Sequence, residues 1–163
     1  MMMRSRTPKR RSCTNRGSAG GDCVPVSKRD VIHCPSSRPD LDGAFVFAVV
    51  NGTPEQPQLA YLKEPQPITE EILKLCAPVL PGEVLRIASP CVHEACKHFD
   101  GSNCKLARRL VQLMPVAVDS LPPCQIRPQC RWWTQEGKAA CLRCPQVVRL
   151  PSLTTEVMRQ AAG

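Results

Sequence analysis

Seven of the chain's eleven cysteines form a spaced array in its second half, Cys91-x4-Cys96-x7-Cys104 followed by Cys124-x5-Cys130-x10-Cys141-x2-Cys144. One or two buried cysteines serve a core as small hydrophobes, but seven at this density exceed what packing requires. The array is suited to holding metal, and three chemistries compete for it: a disulfide framework, a zinc site and an iron–sulfur cluster. Disulfides belong to oxidising compartments. The opening residues Met1 to Arg11 are basic and have no apolar stretch behind them of the kind an export signal needs, and eleven thiols cannot all pair. The expectation is a cytoplasmic protein whose thiols stay reduced and available to metal.

Spacing separates the two metal readings. A tetrahedral zinc ion usually takes its ligands as two close pairs, each from one tight turn. Only Cys141-Leu142-Arg143-Cys144 is such a pair; Cys91/Cys96 and Cys124/Cys130 are wider. A cluster is a larger object whose irons are reached from several sides, so uneven spacing costs it less. Cys144-Pro145 repeats the Cys-Pro ending of ferredoxin-type ligand runs, and Pro90-Cys91 and Pro123-Cys124 stiffen loops beside sulfur in a similar way. The full ferredoxin run is absent, as is the C-x3-C-x2-C run of radical S-adenosylmethionine chemistry. The array therefore favours one or two iron–sulfur clusters of the 4Fe-4S type, with zinc as the alternative.

The seven thiols divide into a set of four, Cys124, Cys130, Cys141 and Cys144, and a set of three, Cys91, Cys96 and Cys104. A fourth ligand for the smaller set is sought in His93 or His98, since imidazole can replace a thiolate on iron or zinc. His98 is preferred because it lies two residues after Cys96 and beside Phe99. One cluster taking four thiols, with the others structural, stays open. Arg127, Arg131 and Arg143 lie within the four-cysteine stretch, where cations would stabilise an anionic cluster, and Trp132-Trp133 could exclude water from it. The other cysteines are set aside. Cys76 lies on the apolar stripe of an expected helix, and Cys13, Cys23 and Cys34 are spaced unlike ligand pairs.

The elements that must position these residues are read from periodicity and breakers. Ala44 to Val50 is β-rich, Asn51-Gly52-Thr53-Pro54 breaks it, and Gln58 to Leu62 resumes, a hairpin pattern. Thr69 is the N-cap candidate of a short helix through Cys76, with Glu70 and Glu71 in its first turn. Pro78 and Pro81-Gly82 should end it, and Glu83 to Ala88 fits a third strand leading to Cys91. A second helix is expected from Ser102 or Asn103, with Leu106, Leu110, Leu113 and Met114 on one side and Pro115 at its end. Cys104 would then sit in its first turn, where the helix-end potential favours a thiolate. From Cys124 to Cys144 loop with short helical turns is expected, then a short strand at Val147-Val148 and a loosely held helix from Thr154 to Ala162.

The expected fold class is α+β: a small β-β-α-β unit followed by a loop-rich, cysteine-rich metal-binding region with one or two helices. Residues 1–40 are expected to be a disordered basic arm, 41–90 the α+β unit, 91–150 the metal-binding region packed on it, and 151–163 a C-terminal tail. The net charge of +8 is concentrated in the arm, where residues 1–38 hold nine Lys/Arg against two Asp/Glu. The remainder is nearly neutral, which argues against a phosphate-tracking face, and the arm lacks aromatics to stack on bases. Nucleic acid is a conceivable partner through the arm alone. The longest apolar run, seven residues, is far short of the roughly 20 of a membrane span.

The run from Cys91 through Cys96-Lys97-His98-Phe99-Asp100-Gly101, Leu121-Pro122-Pro123-Cys124, Cys130-Arg131-Trp132-Trp133 and Gln135-Glu136-Gly137-Lys138-Ala139-Ala140-Cys141 to Cys144-Pro145 resembles a family of bacterial cysteine-rich proteins, some of which carry a "nitrogen fixation protein" label. The resemblance spans about residues 44–149. It implies an association with iron–sulfur or redox metabolism and supplies no reaction. No Ser/His/Asp set, phosphate loop or carboxylate pair stands out, which favours an electron carrier or a maturation factor for a redox enzyme over an enzyme. The alternatives are a zinc-stabilised interaction module and a thiol oxidoreductase using Cys141 and Cys144. The oxidoreductase reading lacks the βαβ context that gives C-x2-C its redox meaning.

Overall fold

The structure, a computed structural model, describes residues 31–53, 56–147 and 155–163. The hairpin forms as its sequence dictates. Strand β2 (Phe45–Gly52) pairs antiparallel with β3 (Pro57–Pro67). Gly52 takes φ +83° at the turn, where a Cβ would clash with the Gln56 carbonyl oxygen, so a side chain is excluded. Register shifts between Val46 and Ala48 leave Phe47 on a bulge, 1% exposed.

Helix α1 (Glu70–Leu75) is capped by Thr69, whose hydroxyl accepts from the Ile72 amide at 3.3 Å. Pro81-Gly82 does more than end it. With Pro81 at its first position, where a missing N–H costs nothing, the one-turn helix α2 (Pro81–Val84) forms, and strand β4 (Leu85–Pro90) begins two residues later than expected.

Order extends further toward the N-terminus than Leu41. His33–Cys34 form a two-residue strand, β1, paired antiparallel with β4, and the sheet order is β1-β4-β2-β3. Residues 31–40 are thus part of the fold and not of an arm; residues 1–30 lie outside the described residues.

The other four helices lie in the second half of the chain. α3 (Lys105–Leu113) buries Ala107 and Leu110, with Met114 following, while Leu113, expected on the same stripe, is 44% exposed. Its N-cap is Cys104, not Ser102 or Asn103, because the Asp100 carboxylate accepts from the amides of Ser102 and Asn103 at 3.0 and 2.7 Å and holds them in the preceding turn. Between Cys124 and Cys144 the chain is more helical than expected: α4 (Arg131–Glu136) and α5 (Lys138–Cys141) join 3-10 turns at Arg127–Gln129 and Cys144–Gln146. Val147 caps the last of these turns, and Val148 lies outside the described residues.

α6 (Glu156–Ala162) packs on α3 with Met158 and Ala161 in the core, so the terminal helix is held and not a tail. That core joins Phe47 and Ala88 of the sheet to Leu110, Ile126, Trp132 and Ala140. The fold is α+β, a four-stranded antiparallel sheet with six helices among the described residues. No helix among them is long and apolar enough to cross a membrane.

Candidate metal centre

The four cysteines of the C-terminal set come from four short elements. Cys124 follows the Pro122-Pro123 loop, Cys130 is the N-cap of α4, Cys141 ends α5 and Cys144 opens the last 3-10 turn. All four line one small cavity, whose other walls include Phe47, Tyr61, Ile126 and Trp132. The amides of Trp132 and Trp133 at the start of α4 face the Cys130 sulfur, a donor pair that favours its thiolate. Burial opposes it, and pushes the Cys124 thiol up to about 11 and the Cys130 thiol up to about 12. Free of metal, these thiols keep their protons near neutral pH. A metal that binds them must displace protons.

Arg86 marks the site's electrostatics. It is 6% exposed near the start of β4, yet the ion pairs formed among the described residues do not include it. Its guanidinium donates to the carbonyls of Cys144 (2.8 Å), Val147 (2.9 Å) and Pro35 (3.3 Å), and Nη2 lies 3.5 Å from Cys144 Sγ. A buried cation is expensive without a negative partner. The thiolates of a loaded metal site would supply one, so donor set and charge both fit an anionic metal–sulfur group here.

The arginines expected around this set divide. Arg127 stays with it: the guanidinium donates to the Pro122 carbonyl, approaches the Cys141 thiol and lies 5.4 Å from the Trp133 ring. Arg131 leaves for the other set, lying 5.2 Å from the Phe99 ring and donating to the Ser102 carbonyl at 2.6 Å. Arg143 is a brace, bonded to the carbonyls of Met114 (2.7 Å) and Ala139 (2.9 Å). Trp132 is buried against the cavity, whereas Trp133 is half-buried beside Arg127.

Cys91, Cys96 and Cys104 are brought together by a compact loop. The Cys91 amide extends the sheet by donating to the Ile32 carbonyl at 2.8 Å. A 3-10 turn at His93–Ala95 follows, with His93 at φ +43° and its ring edge-on to Phe99 at 5.4 Å. The Cys96 amide donates back to the His93 carbonyl, and Phe99 bridges to Cys104. Gln135 of α4 holds Cys104 in place, accepting from its amide at 2.7 Å and donating to its carbonyl at 3.0 Å. The amides of Leu106 and Ala107 face the Cys104 sulfur, as those of α4 face Cys130.

A fourth thiol joins this set. Cys34 lies close enough to Cys91, Cys96 and Cys104 for all three to act on it electrostatically, while burial pushes it up to about 11. The fold thus brings into the group a cysteine that spacing alone set aside. His98, the expected ligand, is half-buried, and its carbonyl accepts from the Lys105 amide at 2.7 Å. One signal for Cys34 was present: Cys34-Pro35 is the same junction as Cys144-Pro145. Arg86 had its own, as the lone charge within Val84-Leu85-Arg86-Ile87-Ala88. Cys76 is buried, with its thiol against the Ile72 carbonyl at 3.3 Å, a core residue as expected.

No family model, curated protein or solved structure matches this chain. Among the described residues no three His, Cys, Asp or Glu side chains are grouped closely enough to hold a single metal ion. A tetrahedral zinc at about 2.3 Å from each sulfur would need the thiols to draw within about 3.8 Å of one another, whereas a four-iron cluster bridges wider gaps.

Proposed function

We propose that this protein holds an iron–sulfur cluster of the 4Fe-4S type on Cys124, Cys130, Cys141 and Cys144, and that it carries electrons to a redox enzyme or helps to mature one. The observation that carries the reading is the convergence of four thiols on one apolar-walled cavity, beside a buried arginine that has no carboxylate partner among the described residues. The bound cluster would supply one-electron transfer. The chain's own residues have separate tasks. Phe47, Tyr61 and Trp132 keep water from the cavity, Arg86 offsets the negative charge, and the amides at the start of α4 stabilise the Cys130 thiolate. A cytoplasmic location and a protein redox partner accompany this reading.

Anaerobic expression of the full chain, followed by a visible spectrum and assays of iron, sulfide and zinc, tests the proposal. The expected product is brown, with broad absorption near ~400 nm that dithionite bleaches. Cys144→Ala should remove iron, and Cys76→Ala should not. A colourless protein holding stoichiometric zinc despite ample iron would replace this reading with the zinc-stabilised module.

A further inference from the structure

We infer that Cys34 is a metal ligand, the fourth thiolate of a second iron–sulfur site completed by Cys91, Cys96 and Cys104. This rests on the iron–sulfur reading above and adds to it a site at the opposite end of β1. The β1–β4 register is the geometric basis. Cys34 stands opposite Ser89, and the Cys91 amide bonds the Ile32 carbonyl two residues further along the same ladder. Opposed residues share a face and so do alternate ones, so Cys34 and Cys91 project from one face as diagonal neighbours, about 7–8 Å apart at Cα. Cysteine side chains at that separation can both reach one four-iron cluster.

The loop from Cys91 to Cys104 then folds back over this pair. The Cys96 turn and the Phe99–Cys104 bridge close it, and Gln135 fixes its end. Cys104 offers its sulfur at the start of the nine-residue helix α3, where free amides favour an anion. Arg131 across Phe99 supplies a nearby cation, as Arg127 does for the C-terminal set. The two groups of four are alike in kind: each has one helix N-cap cysteine, one cysteine in a Cys-Pro junction and one arginine held over an aromatic ring. On loading, each thiol would release its proton to solvent and its sulfur would displace one ligand carried by the incoming cluster, which leaves with its own electron pair.

The test is metal content and spectroscopy of the full chain made anaerobically, as wild type and as Cys34→Ala, Cys124→Ala and His98→Ala. The wild type should hold about eight irons and eight sulfides, two 4Fe-4S groups. Cys34→Ala should lose about half of both and keep the electron paramagnetic resonance signal of the remaining reduced cluster, which also shows that the variant folds. Cys124→Ala should lose the other half, and His98→Ala neither. Full iron in Cys34→Ala, or a loss of half in His98→Ala instead, overturns the assignment. A wild type with about four irons, all lost in Cys124→Ala and none in Cys34→Ala, overturns it while leaving the proposed function intact.

Thiol alkylation of the loaded wild type gives a second readout without a variant. Cys34 should be protected together with Cys91, Cys96 and Cys104 and become reactive with them when iron is stripped under denaturing conditions. Labelling of Cys34 while the other three stay protected would equally remove it from the site.

Discussion

Arg86 is the residue whose chemistry is hardest to explain without a metal group nearby. Three carbonyls, a sulfur and, at 5.9 Å, the Phe47 ring surround its guanidinium, and neutral groups compensate a buried positive charge less well than an anion does. Placed 3.5 Å from Cys144 Sγ, the charge would stabilise the more negative, reduced form of a bound cluster and so raise its potential. Arg86→Gln removes the charge and keeps a donor; it should lower the potential of one cluster by tens of millivolts in a redox titration followed by electron paramagnetic resonance. Arg86→Lys should shift it less. Potentials unchanged in both variants would leave Arg86 a purely structural brace of the Cys144–Val147 turn.

At the scale of elements, the sites depend on where short helices begin and end. α4 begins at Cys130 and α5 ends at Cys141, and Gly137 joins the two helices. Its φ of +59° and ψ of −140° lie in a region open in practice to glycine alone. A Cβ there would meet nothing within 4 Å, so the cost of a substitution is conformational and not steric. Gly137→Ala should therefore destabilise the fold by about 1–3 kcal/mol in urea titration and release iron from the C-terminal set first. Stability and iron retention equal to wild type would show that the α4–α5 angle is not what positions Cys141.

The same scale decides what could be read in advance. The hairpin, α1 and α3 follow from apolar periodicity and local caps, signals carried within a few residues of one another. Cys34 had no such signal. Its two-residue strand is defined only by pairing with Ser89 and Pro90, more than fifty residues away, and a pattern needs more than two positions to show a period. α4 was hidden for a related reason, since its six residues are too few for an apolar stripe and its cap is a cysteine.

Across the whole molecule, the two thiol groups are part of the core and not an appendage to it. Cys130 is a member of the main apolar cluster, and Cys104, Cys124 and Cys144 pack against it with Leu106 and Val147. β1 links the two groups. His33 bridges to Cys130, while the next residue, Cys34, lies near Cys91, Cys96 and Cys104, so an element of two residues touches both thiol groups. The chain has only six aromatic residues and seventeen prolines, a composition that gives a modest core many turns to hold. Metal bound by the folded state and not by the unfolded chain adds to stability by mass action. Ligands drawn from β1, the Cys91–Cys104 loop, α3, α4 and α5 would tie the sheet to the helices. Stripping metal with a chelator under reducing conditions should therefore lower the melting temperature by on the order of 10 °C, the shift expected for about 4 kcal/mol of binding energy in a chain of this size. The measurement is a scanning melt of loaded and stripped protein followed by far-ultraviolet circular dichroism. Coincident melts would mean that the thiols lie outside the unit that unfolds cooperatively, against their place in the core.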